Sequence, residues 1–165
     1  HPQADRALGL RMRVIASDPF VSAEDAPAGV EMCPLESLLA NADFVTIHAP
    51  LMAATRGLFD RHRFAQMKPG ARLVNVARGG IVEEAALVDA LQDGHLAGAA
   101  SDVWQSEPTP VDNPLLAMTN VICTPHLGAS TGEAQVRVAV QIAEQVVAYL
   151  SSGEVCNAVN QIAAR

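Results

Sequence analysis

The chain has 165 residues, of which 50% are hydrophobic and only 18% are charged. This composition allows one domain with a sizeable core and excludes a disordered chain. Acidic residues outnumber basic ones 18 to 11, which gives a formal charge of -7. Because no basic run is present, we expect no nucleic-acid partner. The apolar runs are short and interrupted by polar residues, so we expect no membrane partner either.

The cysteines and the first residues bear on the compartment and on the extent of the chain. Cys33, Cys123 and Cys156 lie far apart and form no C-x-x-C pair. An odd and sparse set argues against a disulfide scaffold and indicates a reducing compartment, so we predict a cytoplasmic protein. No metal site is predicted. The chain opens on H-P-Q, with neither an initiator methionine nor a signal peptide, and we expect it to be a fragment.

Short β-rich runs alternate with helical ones along the chain, which is typical of an α/β fold. In chain order the sequence predicts a strand at 12–17, a helix at 34–41, a strand at 43–48, a helix at 61–67, a strand at 72–76, a helix at 83–92, strands at 97–102 and 120–123, and a helix from 131 to about 150. A proline-rich loop, 107–114, precedes the last strand, and S-T-G-E at 130–133 fits a capping box. Strands separated by crossover helices predict a doubly wound parallel sheet, which binds ligands beyond the carboxyl ends of its strands.

Polar side chains stand at or just past the ends of the predicted strands. They are Asp18, His48, Arg78, Asp102 and His126. Packing alone does not easily explain so many polar groups along one edge of a sheet. The sequence therefore predicts a binding or catalytic site at this edge.

Several of these residues suit particular chemistry, although each also has an ordinary structural explanation. Asp18 is either a solvated turn residue or an acid that accepts hydrogen bonds from the ribose of a dinucleotide. Arg78, in V-A-R-G-G, is either a surface arginine or a residue whose planar guanidinium binds a carboxylate through two parallel hydrogen bonds. His126 can move a proton during carbonyl/alcohol interconversion, and a carboxylate such as Glu107 beside it would favour the imidazolium form. A histidine in a loop and a glutamate before a proline are also common without any catalytic role.

The combination is more specific than its parts. In order, the chain carries D-P-F at 18–20, V-T-I-H-A-P-L at 45–51, N-V-A-R-G-G-I-V-E-E at 75–84, D-V-W at 102–104 with E-P at 107–108, and T-P-H-L-G-A-S-T at 124–131. These motifs resemble the NAD-dependent D-2-hydroxyacid dehydrogenases over nearly the whole chain, residues 6–160. The run H-L-G-A-S-T with E-A-Q after it, and the closing G-E and A-V-N, favour the branch that oxidises 3-phosphoglycerate to 3-phosphohydroxypyruvate in serine biosynthesis.

The resemblance implies an oxidoreductase that uses NAD. It assigns the substrate carboxylate to Arg78, the catalytic proton to His126, and the tuning of that histidine to Glu107. It places the cofactor against Asp18, Ala49, Pro50, Val76, Asp102, Gly128 and Ala129. The partners would be a small 2-hydroxyacid or 2-ketoacid and a second copy of the chain, paired as a homodimer through the dinucleotide domain. Ser101 and Trp104 replace the family's apolar residue and Phe, which we interpret as packing variation.

One departure from the family concerns the start of the chain. Family members carry a substrate-binding domain, a first strand and a G-x-G-x-x-G loop before the matched region, and the 165 residues contain no such loop. We expect residues 1–165 to form a partial NAD-binding domain, Rossmann-like, truncated at its N-terminus and without the substrate-binding domain. Because the first strand is central in such a sheet, the 12–17 strand should lack its inner neighbour and leave two unpaired edges.

Besides an inactive remnant of such an enzyme, two alternatives to this function remain. One is an NAD-binding regulatory or scaffold module without catalysis. The other is a reductase of a different 2-ketoacid, such as glyoxylate or hydroxypyruvate.

Overall fold

Strands and helices alternate along the computed structural model, which describes residues 2–128 and 130–158. The described elements are α1 (Pro2–Gly9), β1 (Val14–Ala16), β2 (Val30–Met32), α2 (Leu35–Asn41), β3 (Phe44–Ile47), α3 (Arg61–Gln66), β4 (Arg72–Asn75), α4 (Glu84–Gln92), β5 (Gly98–Ser101), a 3-10 helix (Pro114–Ala117), β6 (Val121–Cys123) and α5 (Gly132–Ser152). The chain divides into two compact units, residues 1–125 and 126–165. The first unit contains all the described strands, and the second contains α5.

Every predicted strand and helix is present, with ends that agree within two residues. Three elements, α1, β2 and the 3-10 helix, were not predicted. Strand β2 is only three residues long, V-E-M, which is too short for an alternating pattern to stand out. The sequence predicts Pro34 as the first helical residue of α2. In the structure Pro34 is the N-cap, one position earlier, and the helix begins at Leu35.

The predicted capping box of α5 is wrong. The helix is capped by Thr131, whose hydroxyl oxygen accepts a hydrogen bond from the Ala134 N–H at 3.2 Å. Glu133 therefore occupies the second helical position, one residue before the position from which a glutamate reaches back to the cap. The hydroxyl of Thr131 therefore caps the helix, where the predicted capping box required the side chains of both Ser130 and Glu133.

The strands form two parallel sheets rather than one. Strands β1 and β2 pair with each other, and the second sheet has the order β3-β4-β5-β6. Within the described residues the two sheets share no strand pairing, as expected for a first strand without its inner neighbour. The parallel pairing and the helical crossovers confirm the predicted Rossmann-like α/β class.

The core lies on one face of the four-stranded sheet. On that face, register pairs Val45 with Leu73 and Leu73 with Ala99, and all three are buried. Helices α2, α3 and α4 cover them through Leu39, Phe64 and Leu87. The opposite face is more open, and its side chains are half-buried or exposed: Phe44, Thr46, Val74, Ala100 and Ile122.

Two phenylalanines test this one-sided core. Phe64 is 1% exposed, and Phe64→Ala should lower the free energy of unfolding by about 3–5 kcal/mol because it removes a buried ring and leaves a cavity. Phe44 is 53% exposed and stacks under the Arg72 guanidinium, so Phe44→Ala should cost about 1 kcal/mol or less. Urea denaturation measures both values. Equal losses would show that the second face is also covered.

Candidate active site

The predicted polar edge forms where the strands end. Asp18 follows β1 by two residues, His48 follows β3 directly, Arg78 follows β4 by three residues and Asp102 follows β5 directly. In a parallel sheet the carboxyl ends of neighbouring strands lie at one edge. Strands β3, β4 and β5 therefore bring His48, Arg78 and Asp102 to the same edge. His126 follows β6 by three residues and belongs to the second unit.

The turn after β4 presents Arg78, and a buried amide shapes it. Asn75 is 4% exposed; its Oδ1 accepts a hydrogen bond from the Ala77 N–H and its Nδ2 donates to the Arg78 carbonyl, both at 3.2 Å. The Arg78 guanidinium donates through Nη1 to the Ala77 carbonyl at 2.7 Å. Because the side chain is exposed and a guanidinium has five N–H donors, others remain accessible to a carboxylate.

Gly79 lets this turn approach the next loop very closely. A Cβ atom at Gly79 would lie 1.7 Å from the carbonyl oxygen of Trp104 and 2.2 Å from its carbonyl carbon. No side chain can be accommodated against a rigid backbone at that distance. The glycine is therefore required by contact between two backbone segments, and this contact brings Arg78 close in the fold to the loop after β5.

Trp104 connects this loop to two other segments. Its backbone N–H donates to Glu107 Oε1 at 3.0 Å, which orients the carboxylate. Its indole Nε1 donates to the carbonyl of Thr124 at 2.9 Å, and Thr124 lies two residues before His126 in the sequence. With only 5% of its surface exposed, Trp104 holds these contacts inside the core.

The same loop is also fastened to the start of α4. Glu84, the first residue of α4, accepts a hydrogen bond from the Gln105 N–H at Oε1 (2.6 Å) and from Asn113 Nδ2 at Oε2 (2.8 Å). Asn113 in turn caps the 3-10 helix by accepting from the Leu115 N–H. One carboxylate thus holds the loop on both sides of Glu107.

Asp102 and His48 are held by neighbouring hydroxyl groups. The hydroxyl of Thr124 donates to Asp102 Oδ1, which ties the end of β5 to the end of β6. His48 Nε2 lies 3.0 Å from the Thr46 hydroxyl oxygen. Burial lowers the pKa of His48, which favours the neutral ring near neutral pH.

The residues expected to line the cofactor include exposed groups at the ends of several strands. Asp18 Oδ1 accepts a hydrogen bond from the Phe20 N–H at 2.9 Å, so the acid is fixed in its turn while remaining exposed. Val76 is 46% exposed at the end of β4. After β3, Ala49 is half-buried and Pro50 is exposed.

In the second unit, His126 has an unusual backbone. Its φ angle is +59°, in the left-handed region that few non-glycine residues adopt. After His126, the Ser130 N–H donates to the Leu127 carbonyl at 2.9 Å. Gly128 follows His126 by two residues, and Ala129 is outside the described residues. Strained backbone at a polar residue is a recurring feature of functional sites.

Sequence reasoning missed three supporting residues. Asn75 and Glu84 stand at the two ends of the N-V-A-R-G-G-I-V-E-E motif, but nothing in the motif shows that their amide and carboxylate hold turns. The interpretation of Trp104 as packing variation is incomplete, because its indole N–H also makes a specific hydrogen bond. Contacts of this kind join segments distant in sequence and leave no local pattern.

Two kinds of site are absent from the described residues. Across residues 2–128 and 130–158, no group of His, Cys, Asp and Glu side chains is arranged to hold a metal ion. None of the helices in the same described part of the chain has both the length and the apolar character needed to cross a bilayer.

Comparison with known proteins identifies the class. Residues 2–128 match the family described as D-isomer specific 2-hydroxyacid dehydrogenase, NAD binding domain. Because this match covers most of the chain, the protein belongs to that family. The expected oxidoreductase class and the NAD cofactor are thereby confirmed for the family to which the chain belongs.

Individual relatives refine this placement. D-3-phosphoglycerate dehydrogenase of Bacillus subtilis is 48% identical over 158 residues, which is 95% of this chain and 30% of the relative. An NAD-dependent formate dehydrogenase from Staphylococcus aureus, solved in complex with NAD, has a TM-score of 0.84 at 32% identity, over 93% of this chain and 46% of its own. A D-isomer specific 2-hydroxyacid dehydrogenase from Xanthobacter autotrophicus, solved with NADPH and MES, has a TM-score of 0.81 at 38% identity, over 95% and 66%. The chain thus spans under a third of the curated relative's length.

Substitution of Gly79 tests the close contact between the two loops. Gly79→Ala places a methyl group inside the van der Waals radius of the Trp104 backbone, so we expect a loss of several kcal/mol or failure to fold. The matched control is Gly132→Ala at the start of α5, where nothing lies within 4 Å and φ is not positive. Thermal denaturation of the two variants should separate them clearly. A Gly79→Ala protein as stable as the control would contradict the contact.

Proposed function

We propose that this chain provides the cofactor side of a D-2-hydroxyacid dehydrogenase active site, with Arg78, Glu107 and His126 as its catalytic residues. The observation that carries the proposal is the joining of the segments around Arg78, Glu107 and Thr124 through the single residue Trp104. A scaffold module without catalysis would have no use for an arginine, a glutamate and a histidine supported in this way. When bound, NAD accepts a hydride from C2 of the hydroxyacid.

Arg78 binds the substrate carboxylate in this proposal. A carboxylate accepts two parallel hydrogen bonds from a guanidinium, which fixes its orientation as well as its position. The turn held by Asn75 aims the exposed arginine away from the core at the end of β4. A substrate held there has its C2 atom next to the group that anchors it.

His126 moves the hydroxyl proton, and Glu107 supports it. In oxidation, neutral His126 takes the proton from the substrate hydroxyl as the hydride leaves C2, and the reverse transfer completes reduction. Glu107 is held at Oε1 by the Trp104 N–H, which keeps its carboxylate in a fixed orientation. A fixed negative charge favours the imidazolium that forms during oxidation.

The described residues fit part of a dinucleotide. Asp18 is an exposed carboxylate fixed after β1, suited to ribose hydroxyls, and no Lys or Arg stands among residues 14–30 to receive an extra phosphate. For the rest of the cofactor we propose Ala49, Pro50, Val76, Asp102, Gly128 and Ala129. The pyrophosphate is the exception, because the 165 residues contain no G-x-G-x-x-G loop to cradle it.

For the substrate we propose 3-phosphoglycerate, oxidised to 3-phosphohydroxypyruvate. The support is the 48% identity to the Bacillus subtilis enzyme named for that substrate. The second candidate is reduction of another 2-ketoacid such as glyoxylate, favoured by the likeness to a glyoxylate reductase structure.

Steady-state kinetics test this function in the longest natural protein that contains the chain. NADH oxidation is followed with phosphohydroxypyruvate, hydroxypyruvate and glyoxylate in parallel, and NADPH replaces NADH in a second series. We expect the highest kcat/KM with phosphohydroxypyruvate and NADH. A preference for glyoxylate would select the second candidate, and no turnover with any ketoacid would contradict the dehydrogenase assignment.

Arg78→Ala should lower kcat/KM for the ketoacid by about 10- to 100-fold, because it removes a charge-assisted pair of hydrogen bonds. Arg61→Ala is the matched control, since Arg61 makes an exposed ion pair with Asp89 that contributes little. NADH affinity, measured by fluorescence titration, should be equal in both variants. If the two variants keep the same kcat/KM, Arg78 does not bind the substrate.

We also propose that the protein is a homodimer through this domain. The support is α5, in which none of the 21 residues is buried. Its apolar side chains are exposed along the whole helix: Val136, Val138, Val140, Ile142, Val146, Val147 and Leu150. Such a continuous apolar surface is typical of a contact with another surface. Sedimentation velocity should give the mass of two chains, and a monomer at all concentrations would contradict the proposal.

A further inference from the structure

Glu107 lies on a loop that has little packing of its own. Of residues 105–112, all but one are exposed. Burial within the loop therefore does little to fix the Glu107 carboxylate, and contacts at the two ends of the loop matter more. One side chain makes a contact at each end: Glu84 accepts a hydrogen bond from the Gln105 N–H at 2.6 Å and another from Asn113 Nδ2 at 2.8 Å.

From this we infer that Glu84 is a positioning residue for the proposed dehydrogenase reaction, and that it acts through Glu107. The inference rests on the proposed function for the role of Glu107 itself. The two hydrogen bonds of Glu84, one on each side of Glu107 in the sequence, stand on the structure alone. All of these residues belong to the first compact unit, 1–125.

The bond to Gln105 bears most directly on Glu107. The carbonyl of the peptide that links Trp104 to Gln105 packs against Gly79. The N–H of the same peptide donates to Glu84, so this peptide is held on both sides. The preceding N–H, that of Trp104, donates to Glu107 Oε1 at 3.0 Å. Loss of the Glu84 bond therefore loosens the peptide next to the one that orients the Glu107 carboxylate.

Glu84 is anchored in the core by its own helix. It is the first residue of α4, whose buried side chains are Ala86, Leu87, Ala90 and Leu91. A carboxylate is also favoured in the first turn of a helix, where unpaired backbone N–H groups carry partial positive charge. The exposed loop is thus fastened to a well-packed element rather than to another loop.

Exchange of the amide and the carboxylate between two positions tests these bonds. A carboxylate accepts at both oxygens, whereas an amide has one acceptor oxygen, so Glu84→Gln keeps at most one of the two bonds. Combination with Asn113→Asp restores both, because the amide at position 84 accepts from the Gln105 N–H and donates to the carboxylate at position 113. The combination leaves the net charge of the pair unchanged and keeps an oxygen that accepts from the Leu115 N–H.

Steady-state kinetics with phosphohydroxypyruvate, in the longest natural protein that contains the chain, measure the effect. We expect Glu84→Gln to lower kcat by about 3- to 10-fold, as the loss of one charge-assisted hydrogen bond allows, and the combined variant to recover most of this loss. NADH affinity should not change, because none of the altered residues is assigned to the cofactor. If Glu84→Gln does not fold, Asn113→Asp alone should lower kcat in the same way, since it sets two carboxylates against each other.

Glu83→Gln is the matched control. Glu83 is the neighbouring residue, is exposed and makes no capping hydrogen bond through its side chain, so the variant makes the same change of charge without touching the loop. It should keep the wild-type kcat. A loss of kcat equal to that of Glu84→Gln would show that only the change of charge matters and would contradict the inference.

A double-mutant cycle shows whether Glu84 acts through Glu107. In a Glu107→Ala background the carboxylate that Glu84 positions is gone, so Glu84→Gln should have no further effect on kcat. The pH profile of kcat/KM should shift in the same direction in Glu84→Gln and in Glu107→Ala, which a purely structural loss would not produce. Additive losses in the cycle, an unshifted pH profile, or a combined variant no faster than Glu84→Gln would overturn the inference.

Amide hydrogen exchange needs no turnover and separates this inference from the proposed function. The Trp104 amide donates to Glu107, so its exchange, measured by NMR, should accelerate in Glu84→Gln, slow again in the combined variant and stay unchanged in Glu83→Gln. Labelled tryptophan simplifies the measurement, because the 165 residues contain a single one. Lack of wild-type turnover with any ketoacid would refute the proposed function. Unchanged exchange at Trp104 would refute the positioning of Glu107 by Glu84 in either case.

Discussion

The backbone contact between Gly79 and Trp104 is the constraint on which the rest of the site depends. It brings the turn after β4 against the loop after β5 at a distance that only a residue without Cβ allows. Once the two main chains meet there, the buried Asn75 can shape one turn and Glu84 can hold the other loop. The exposed polar side chains are then supported by main chain, by the buried amide of Asn75 and by the half-buried carboxylate of Glu84. Precise placement of reactive groups by rigid, well-packed neighbours is a general requirement of active sites.

Much of the fold, and the positions of several polar residues at strand ends, could be predicted from the sequence. The strand and helix pattern predicted the parallel sheet because apolar runs of period two and of period 3.6 alternate along the chain. The placement of Asp18, Arg78 and Asp102 at strand ends followed from the same pattern, since parallel strands present their carboxyl ends at one edge. The break between the two sheets was also predicted, because the resemblance implies a central first strand that the 165 residues do not contain.

Long-range contacts were not accessible from the sequence. The role of Glu84 depends on a loop more than 20 residues further along the chain, and that of Trp104 on a carbonyl 20 residues away. Neither leaves a periodic signal. The capping box failed for a more local reason: two neighbouring residues, Ser130 and Thr131, can both cap a helix, and the pattern does not decide between them.

The division of the strands into two sheets has a thermodynamic consequence. Asp18 follows β1 of the two-stranded sheet, whereas Arg78 and Asp102 follow strands of the four-stranded sheet, and no strand pairing among the described residues joins the two sheets. A pair of three-residue strands gains little cooperativity from its own few hydrogen bonds. A ligand long enough to reach both sheets would order the pair and thereby couple its stability to that of the larger sheet. Part of the ligand's binding free energy would then be used to order the β1–β2 pair. The affinity for the part of the ligand bound at one sheet would depend on how firmly its other part is bound at the second sheet.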